Sequence, residues 1–141
     1  MLAEPIMYLL EQANIGLIGG SNLYGYFMPG DINAGVVILP SLGGNHIAYE
    51  TPGWRKDDTF QVLSRASTGY AARAMAMQVQ AALLSTKQQM VPSQVTGSPA
   101  ILFSYIRAMH DPIIFPRQLG NQWEASVNYQ ASYAVQSLTV V

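Results

Sequence analysis

From Trp123 to Gln136 the chain alternates almost without a break, and this limits the fold more than any other stretch. Trp123, Ala125, Val127, Tyr129, Ala131, Tyr133 and Val135 fall on one side. Glu124, Ser126, Asn128, Gln130, Ser132 and Gln136 fall on the other, with Ala134 alone breaking the polar side. A period of two marks a β-strand with one face on a core. At about 3.3 Å per residue the fourteen residues span roughly 46 Å, against a usual strand of about five or six residues. Such a strand is expected to bend, to carry a bulge, or to run past its own domain. A long free edge would invite pairing with another chain.

The second strong pattern has the period of a helix. Residues 69–87 have no Pro, no Gly after Gly69, and many Ala, Met, Leu and Gln, all good helix formers apart from the first position. Ser67 or Thr68 can cap the N-terminus, and Lys87 suits the negative end of the dipole. At about 100° per residue, Ala72, Met75, Ala76, Val79, Ala82 and Leu83 form one apolar face, which should lie on the sheet. The opposite side carries Ala74, Met77, Ala81 and Leu84, with Arg73 and Gln80 on one flank and Gln78 and Ser85 on the other. A helix apolar on two sides is normally covered on two sides. A chain this short has little material for a second cover, so a neighbouring subunit is the economical answer. The plainer alternative is that the alanines tolerate water and that Met77 and Leu84 are isolated exposures.

The remaining elements are shorter. Residues 4–14 read as a helix with Ile6, Leu9, Leu10 and Ala13 on one face and Pro5 in the first turn. Residues 22–28 alternate as a strand, Val36 to Leu39 is a short apolar strand, and 46–50 is a further candidate. Thr59 to Ala66 and Ala100 to Ala108 read as strands. Residues 88–99 and 109–122, with their prolines and glycines, read as loops. The fold expected is α+β: a mostly antiparallel β-sheet with two α-helices, the longer (about 69–87) packed on one face. All 141 residues are expected in one domain, 1–141. A chain of that size can bury roughly 68–70% of the surface it exposes when unfolded.

Composition points to assembly. Charged residues are 11% of the chain, against about 25% in an average soluble domain. Either a membrane or partner subunits must account for the deficit. Ile15 to Leu39 is interrupted by Gly16, Gly19, Gly20, Asn22, Pro29, Asp31 and Asn33, so it offers no run of about 20 apolar residues for a spanning helix. The first residues lack the basic region of a signal peptide. With no cysteine, a cytoplasmic setting is expected. A net charge of −1, with seven scattered Lys and Arg, argues against a nucleic-acid-binding stripe.

Chemistry finds little to work with. No G-x-S-x-G elbow or Walker loop is present. His46 has no acidic or cysteine companion at ligand spacing, and His110-Asp111 reads as a loop histidine beside a turn-forming aspartate. Trp54-Arg55-Lys56-Asp57-Asp58 holds four of the fifteen charges. Asp57-Asp58 form the one adjacent carboxylate pair, a possible acid–base couple, but a solvated charged loop is the better reading. In a functional version of that loop, Trp54 anchors an interface and Arg55 is a polar contact. Tyr24, Tyr26, Tyr129 and Tyr133 could stack on bases, but the final strand lacks the basic residues such a platform needs.

The run Tyr49-Glu50-Thr51-Pro52-Gly53, then Phe60-Gln61-Val62-Leu63-Ser64-Arg65-Ala66, then Tyr70-Ala71-Ala72 leading into the helix, resembles the phage minor capsid and tail terminator family. The likeness covers about residues 36–86, with a compatible final strand and a departure at 109–121. It implies a virion protein assembled in the host cytoplasm. Its subunits would form a ring, expected as a hexamer, that caps the tail tube and joins it to the head connector. Implied partners are the tail tube protein, a connector or neck protein, and the sheath if the tail is contractile. No membrane, cofactor, metal or catalytic residue is implied, and DNA would only pass through the lumen. Candidate ring contacts are Trp54, Arg55, Lys56, Asp57 and Asp58 with Arg73, Met77, Gln80, Ala81 and Leu84. A head-closure or tail-completion protein of the same particle is the near alternative, and a small enzyme with a site assembled in space the distant one.

Overall fold

The computed structural model describes residues 2–40, 46–47, 55–84, 89–95, 100–117 and 120–135, with the backbone alone at 46–47 and 55–57. The elements in chain order are α1 (Ala3–Gln12), β1 (Leu23–Gly25), β2 (Gly35–Pro40), β3 (His46–Ile47), β4 (Arg55–Ala66), α2 (Gly69–Leu84), β5 (Gln89–Val91), β6 (Ile101–Ala108), β7 (Ile113–Pro116) and β8 (Trp123–Val135). The strands make one mostly antiparallel sheet in the order β1-β2-β4-β8-β6-β5, with β3 on β4 and β7 on β8. Among the named strands, β1 and β2 pair parallel and the other pairs antiparallel. Two helices and one sheet give the expected α+β class, with α2 packed on one face.

The axis of the sheet is the β4–β8 ladder, continuous from Arg55↔Ala134 to Ala66↔Trp123. The long alternating strand is therefore real, but it is central rather than an edge. β4 lines one side, and β6 and β7 share the other, so β8 has no long free edge for another chain. The irregularity expected of so long a strand falls on its neighbour. An extra residue, Ser104, separates the pairs Phe103↔Tyr133 and Tyr105↔Ser132. This bulge keeps both Phe103 and Ile106 pointing into the core, where both are buried.

The core lies between the sheet and the helices. Ala72, Ala76, Val79 and Leu83 of α2 are buried, with Met75 and Ala82 packed at their margin. They meet Val62, Phe60, Val127, Tyr129, Phe103 and Tyr133 in one apolar cluster. Cross-strand aromatic pairs run through it: Phe60 and Tyr129 stack at 5.2 Å, and Phe103 and Tyr133 tilt at 6.0 Å. Burial pushes both tyrosine phenols well above their ordinary value, and at Tyr133 the negative charge of Asp58 adds to the effect. Neither ring is available for stacking on bases. The helix starts as its sequence requires, with the Thr68 hydroxyl accepting the Ala71 N–H at 3.1 Å. The expected end at Lys87 lies outside the described residues.

α1 covers the β1–β2 side of the same face, burying Ile6, Leu9 and Leu10. Its approach is close: a Cβ on Gly25 would stand 3.0 Å from Met7 Sδ, so a larger residue there would press on the Met7 side chain. Asn14, at φ 57°, ends the helix in the left-handed region.

Several short elements depart from expectation. The strand expected over 22–28 stops at Gly25, because Tyr26 adopts φ 70°. The residues read as a charged loop are strand from Arg55 onward, held by the β8 ladder. β5 lies within the expected loop 88–99, and β7 within 109–122. Of the expected strand 46–50, only His46–Ile47 falls among the described residues.

β6 and β7 are in effect one strand interrupted by residues 109–112, and His110 fills the break. Asn128 N–H donates to His110 Nε2 at 3.1 Å, and the other ring nitrogen meets Asp111 C=O at 2.7 Å. An amide can only donate, so Nε2 carries no proton and Nδ1–H donates to the carbonyl. The histidine thus stands in for a backbone acceptor in the ladder. His110→Ala should cost about 1 kcal/mol, read as a lower urea midpoint with faster hydrogen exchange at the Asn128 amide.

Candidate subunit interface

The outward side of α2 is built by the same helical period that builds the core. With Ala72, Ala76, Val79 and Leu83 inward, Ala74, Met77, Ala81 and Leu84 are all exposed, Met77 at 41% and Leu84 at 45%. The structure adds Tyr70, 90% exposed, at the head of the same line. Positions 70, 74, 77, 81 and 84 are spaced four, three, four, three, the spacing of a helix seam that receives another packed element. Arg73 is exposed beside it and Gln80 half-buried, with Gln80 Oε1 buried and lacking a partner among the described residues.

Two grooves border this line. Near its C-terminal part, Gln78, Ala81 and Ala82 face Ala13, Asn14 and Ile15 across an open groove of about 660 Å³. At its N-terminal end, Gly69, Tyr70, Arg73 and Ile114 line a second, of about 280 Å³. Trp123 lies against this second groove: a Cβ on Gly69 would be 3.6 Å from Ile114 and 3.7 Å from Trp123. Ile114 and Trp123 are themselves partly exposed. The other arginines with described side chains all have partners: Arg65 binds Glu124, Arg107 binds Gln130 and Arg117 binds Gln122. Arg73 has none among the described residues. The result is an apolar groove with one uncommitted cation on its rim.

Of the charged group at 54–58, the described residues begin β4. Trp54 falls outside the described residues, and Arg55, Lys56 and Asp57 are placed by backbone alone at the start of β4. Asp58 is turned into the fold, where its carboxylate accepts from Thr59 N–H at 2.9 Å and from the Tyr133 hydroxyl at 3.4 Å. Eight residues of strand, about 26 Å, separate it from the end of β4 where α2 begins. The charged run is therefore remote from Arg73 and the groove at the head of α2. Among the described residues no group of three His, Asp or Glu could hold a metal ion, and no helix is long and apolar enough to cross a membrane.

Tyr70, Ile114 and Trp123 are not among the contacts expected from the sequence. Tyr70 was legible in principle, since it continues the spacing of Met77, Ala81 and Leu84 back to the helix start. Ile114 was not, because its place depends on β7.

No curated protein matches the chain. A solved chain from the virion of a native gene transfer agent particle is 15% identical, covering 92% of this chain and 84% of its own, with a TM-score of 0.52. At that identity the likeness establishes a shared fold. A second solved chain, 17% identical over 82% of this one and 79% of its own, superposes less closely, with a TM-score of 0.34. The family model described as bacteriophage tail terminator protein matches residues 9–135. With most of the chain matched, the protein belongs to the bacteriophage tail terminator family and is a structural, tail-associated component of a phage-like virion.

Proposed function

We propose that the chain is one subunit of a closed ring, expected as a hexamer, that caps the finished tail tube and joins it to the head connector. The observation that carries this reading is the outward line of α2. Its inner side already fills the core, yet Tyr70, Ala74, Met77, Ala81 and Leu84 repeat the apolar pattern toward solvent. Family membership supplies the setting, and the sparse charge of the chain is what a surface shared among copies requires. Closed cyclic assemblies are the common outcome for identical subunits. The 1–141 chain would act as one domain. Its partners would be the tail tube protein, a connector or neck protein, and the sheath if the tail is contractile, with DNA passing only through the lumen. Assembly would take place in the host cytoplasm, with neither membrane nor cofactor involved.

The test is electron microscopy of the purified protein and of intact particles with this chain labelled. Rings at the head-proximal end of the tail are expected. A protein that stays monomeric at all concentrations and is absent from particles would overturn the reading.

A further inference from the structure

A ring needs two different surfaces on each subunit, because a head-to-tail contact joins one patch to an unlike patch on the next copy. The α2 line and its N-terminal groove supply one. The structure points to the other at Phe27, which is 71% exposed.

Phe27 is held out by an unusual turn. Tyr26 has φ 70°, and Phe27 N–H donates to Gly25 C=O at 2.8 Å. Together these make a γ-turn of the rare positive-φ kind. For a bulky residue that backbone is strained, and such strain persists only where the surroundings fix it. Here they do: Tyr26 N–H donates to Ile38 C=O at 2.8 Å, and the Tyr26 hydroxyl reaches both carboxylate oxygens of Glu4, at 3.0 and 3.1 Å. Beyond the turn, Arg65 Nη1 donates to Pro29 and Ile32 C=O, and Arg117 Nη1 to Gly30 C=O. A buried phenylalanine would give this construction a packing purpose, but the side chain it displays is in water.

The topology puts β1, which leads into this aromatic, and β7, which lines the groove, at opposite edges. One row of the sheet runs Leu23, Val36, Ser64, Ala125, Ile114 across β1, β2, β4, β8 and β7. Phe27 follows β1 at one end of that row, and Ile114 lines the groove at the other. Four strand spacings, about 19 Å, separate Leu23 from Ile114 along that row, and neighbours in a ring can bring the two edges together. The charges agree as well. Arg73 on the groove rim is uncommitted among the described residues, and Glu4 is the carboxylate bound at the turn. We propose that Phe27 of one copy seats in the groove formed by Gly69, Tyr70, Arg73 and Ile114 of the next, with Arg73 facing Glu4.

This rests on the ring reading and specifies its contact. The test replaces Phe27 with the photo-crosslinking residue p-benzoylphenylalanine, which keeps an aromatic side chain in place. Purified protein and assembled tails are irradiated, and ring formation is scored separately by electron microscopy. The expected result is a ladder of crosslinked species beyond the dimer, with position 27 joined to the peptides holding Gly69–Arg73 or Ile114. A head-to-tail contact gives a ladder, whereas a two-fold contact stops at dimers. In parallel, Phe27→Ser should weaken subunit association about 30-fold with an unchanged urea midpoint. Rings whose crosslinks map elsewhere, or stop at dimers, overturn this contact and leave the ring standing. Absence of rings in both preparations overturns both.

Discussion

Replacing Arg65 by alanine should destabilise the fold by about 3–5 kcal/mol, the cost of removing one partner from a buried ion pair. Arg65 and Glu124 are directly opposed on β4 and β8. Arg65 Nε and Nη2 both lie 3.2 Å from Glu124 Oε2, and the side chains are 7% and 11% exposed. The guanidinium also ties down the connection after β1, through Nη1 bonds of 3.0 and 3.2 Å to Pro29 and Ile32 C=O. Arg65→Ala thus leaves a buried carboxylate and two carbonyls without their donor. For a fold whose whole stability is of order 5–15 kcal/mol, that is a large share. The double change Arg65→Met with Glu124→Leu should regain most of the loss, because well-packed apolar pairs replace buried ion pairs at little cost. Urea denaturation of the two variants is the measurement. A single variant within about 1 kcal/mol of the parent, or a double variant no better than the single, would show that the pair does not hold this face together.

The residues of this pair were in view in the sequence, but their relation was not. Arg65 belongs to the run resembling the family, and Glu124 sits on the polar side of the final strand. What joins them is the register of two strands some sixty positions apart. The same division holds through the fold. α2 and β8 were legible because each writes its own period over more than ten residues, and the buried set of α2 follows its 100° pattern position by position. β7 was not legible: it is four residues, Ile113 to Pro116, following Pro112 and ending on a second proline, and it is a strand only because β8 supplies the partner. Arg55 to Asp58 read as a loop because charge suggests solvent, yet the ladder to Ala131–Ala134 makes them strand. Tyr26 left the expected alternation because its hydroxyl is anchored on Glu4, twenty-two positions away. At the candidate interface the consequence is direct. Met77, Ala81 and Leu84 could be read from the helix alone, while the groove at its head needed β7 and the first residue of β8 beside it.

Met77→Asp combined with Leu84→Asp should abolish ring assembly while leaving the subunit folded. Both side chains are exposed in the isolated chain, so the substitutions touch no core contact, and surface changes of this kind usually fall within about 0.5 kcal/mol. In an assembled ring the balance reverses. Each large apolar side chain buried contributes about 1.5–3 kcal/mol, and a carboxylate in its place would be buried without a partner, which adds to the loss. Two such positions amount to at least about 3–6 kcal/mol per contact, roughly a hundredfold to ten-thousandfold in association. Because every contact in the ring carries the change, the closed form should disappear rather than weaken. Val79→Asp provides the contrast: it points inward at a fully buried position and should unfold the subunit outright. Light scattering reads the assembly, and urea denaturation reads the fold. If the double variant still forms rings at parental concentrations, the outward line of α2 faces solvent in the particle, and the packing between copies must be sought on another surface.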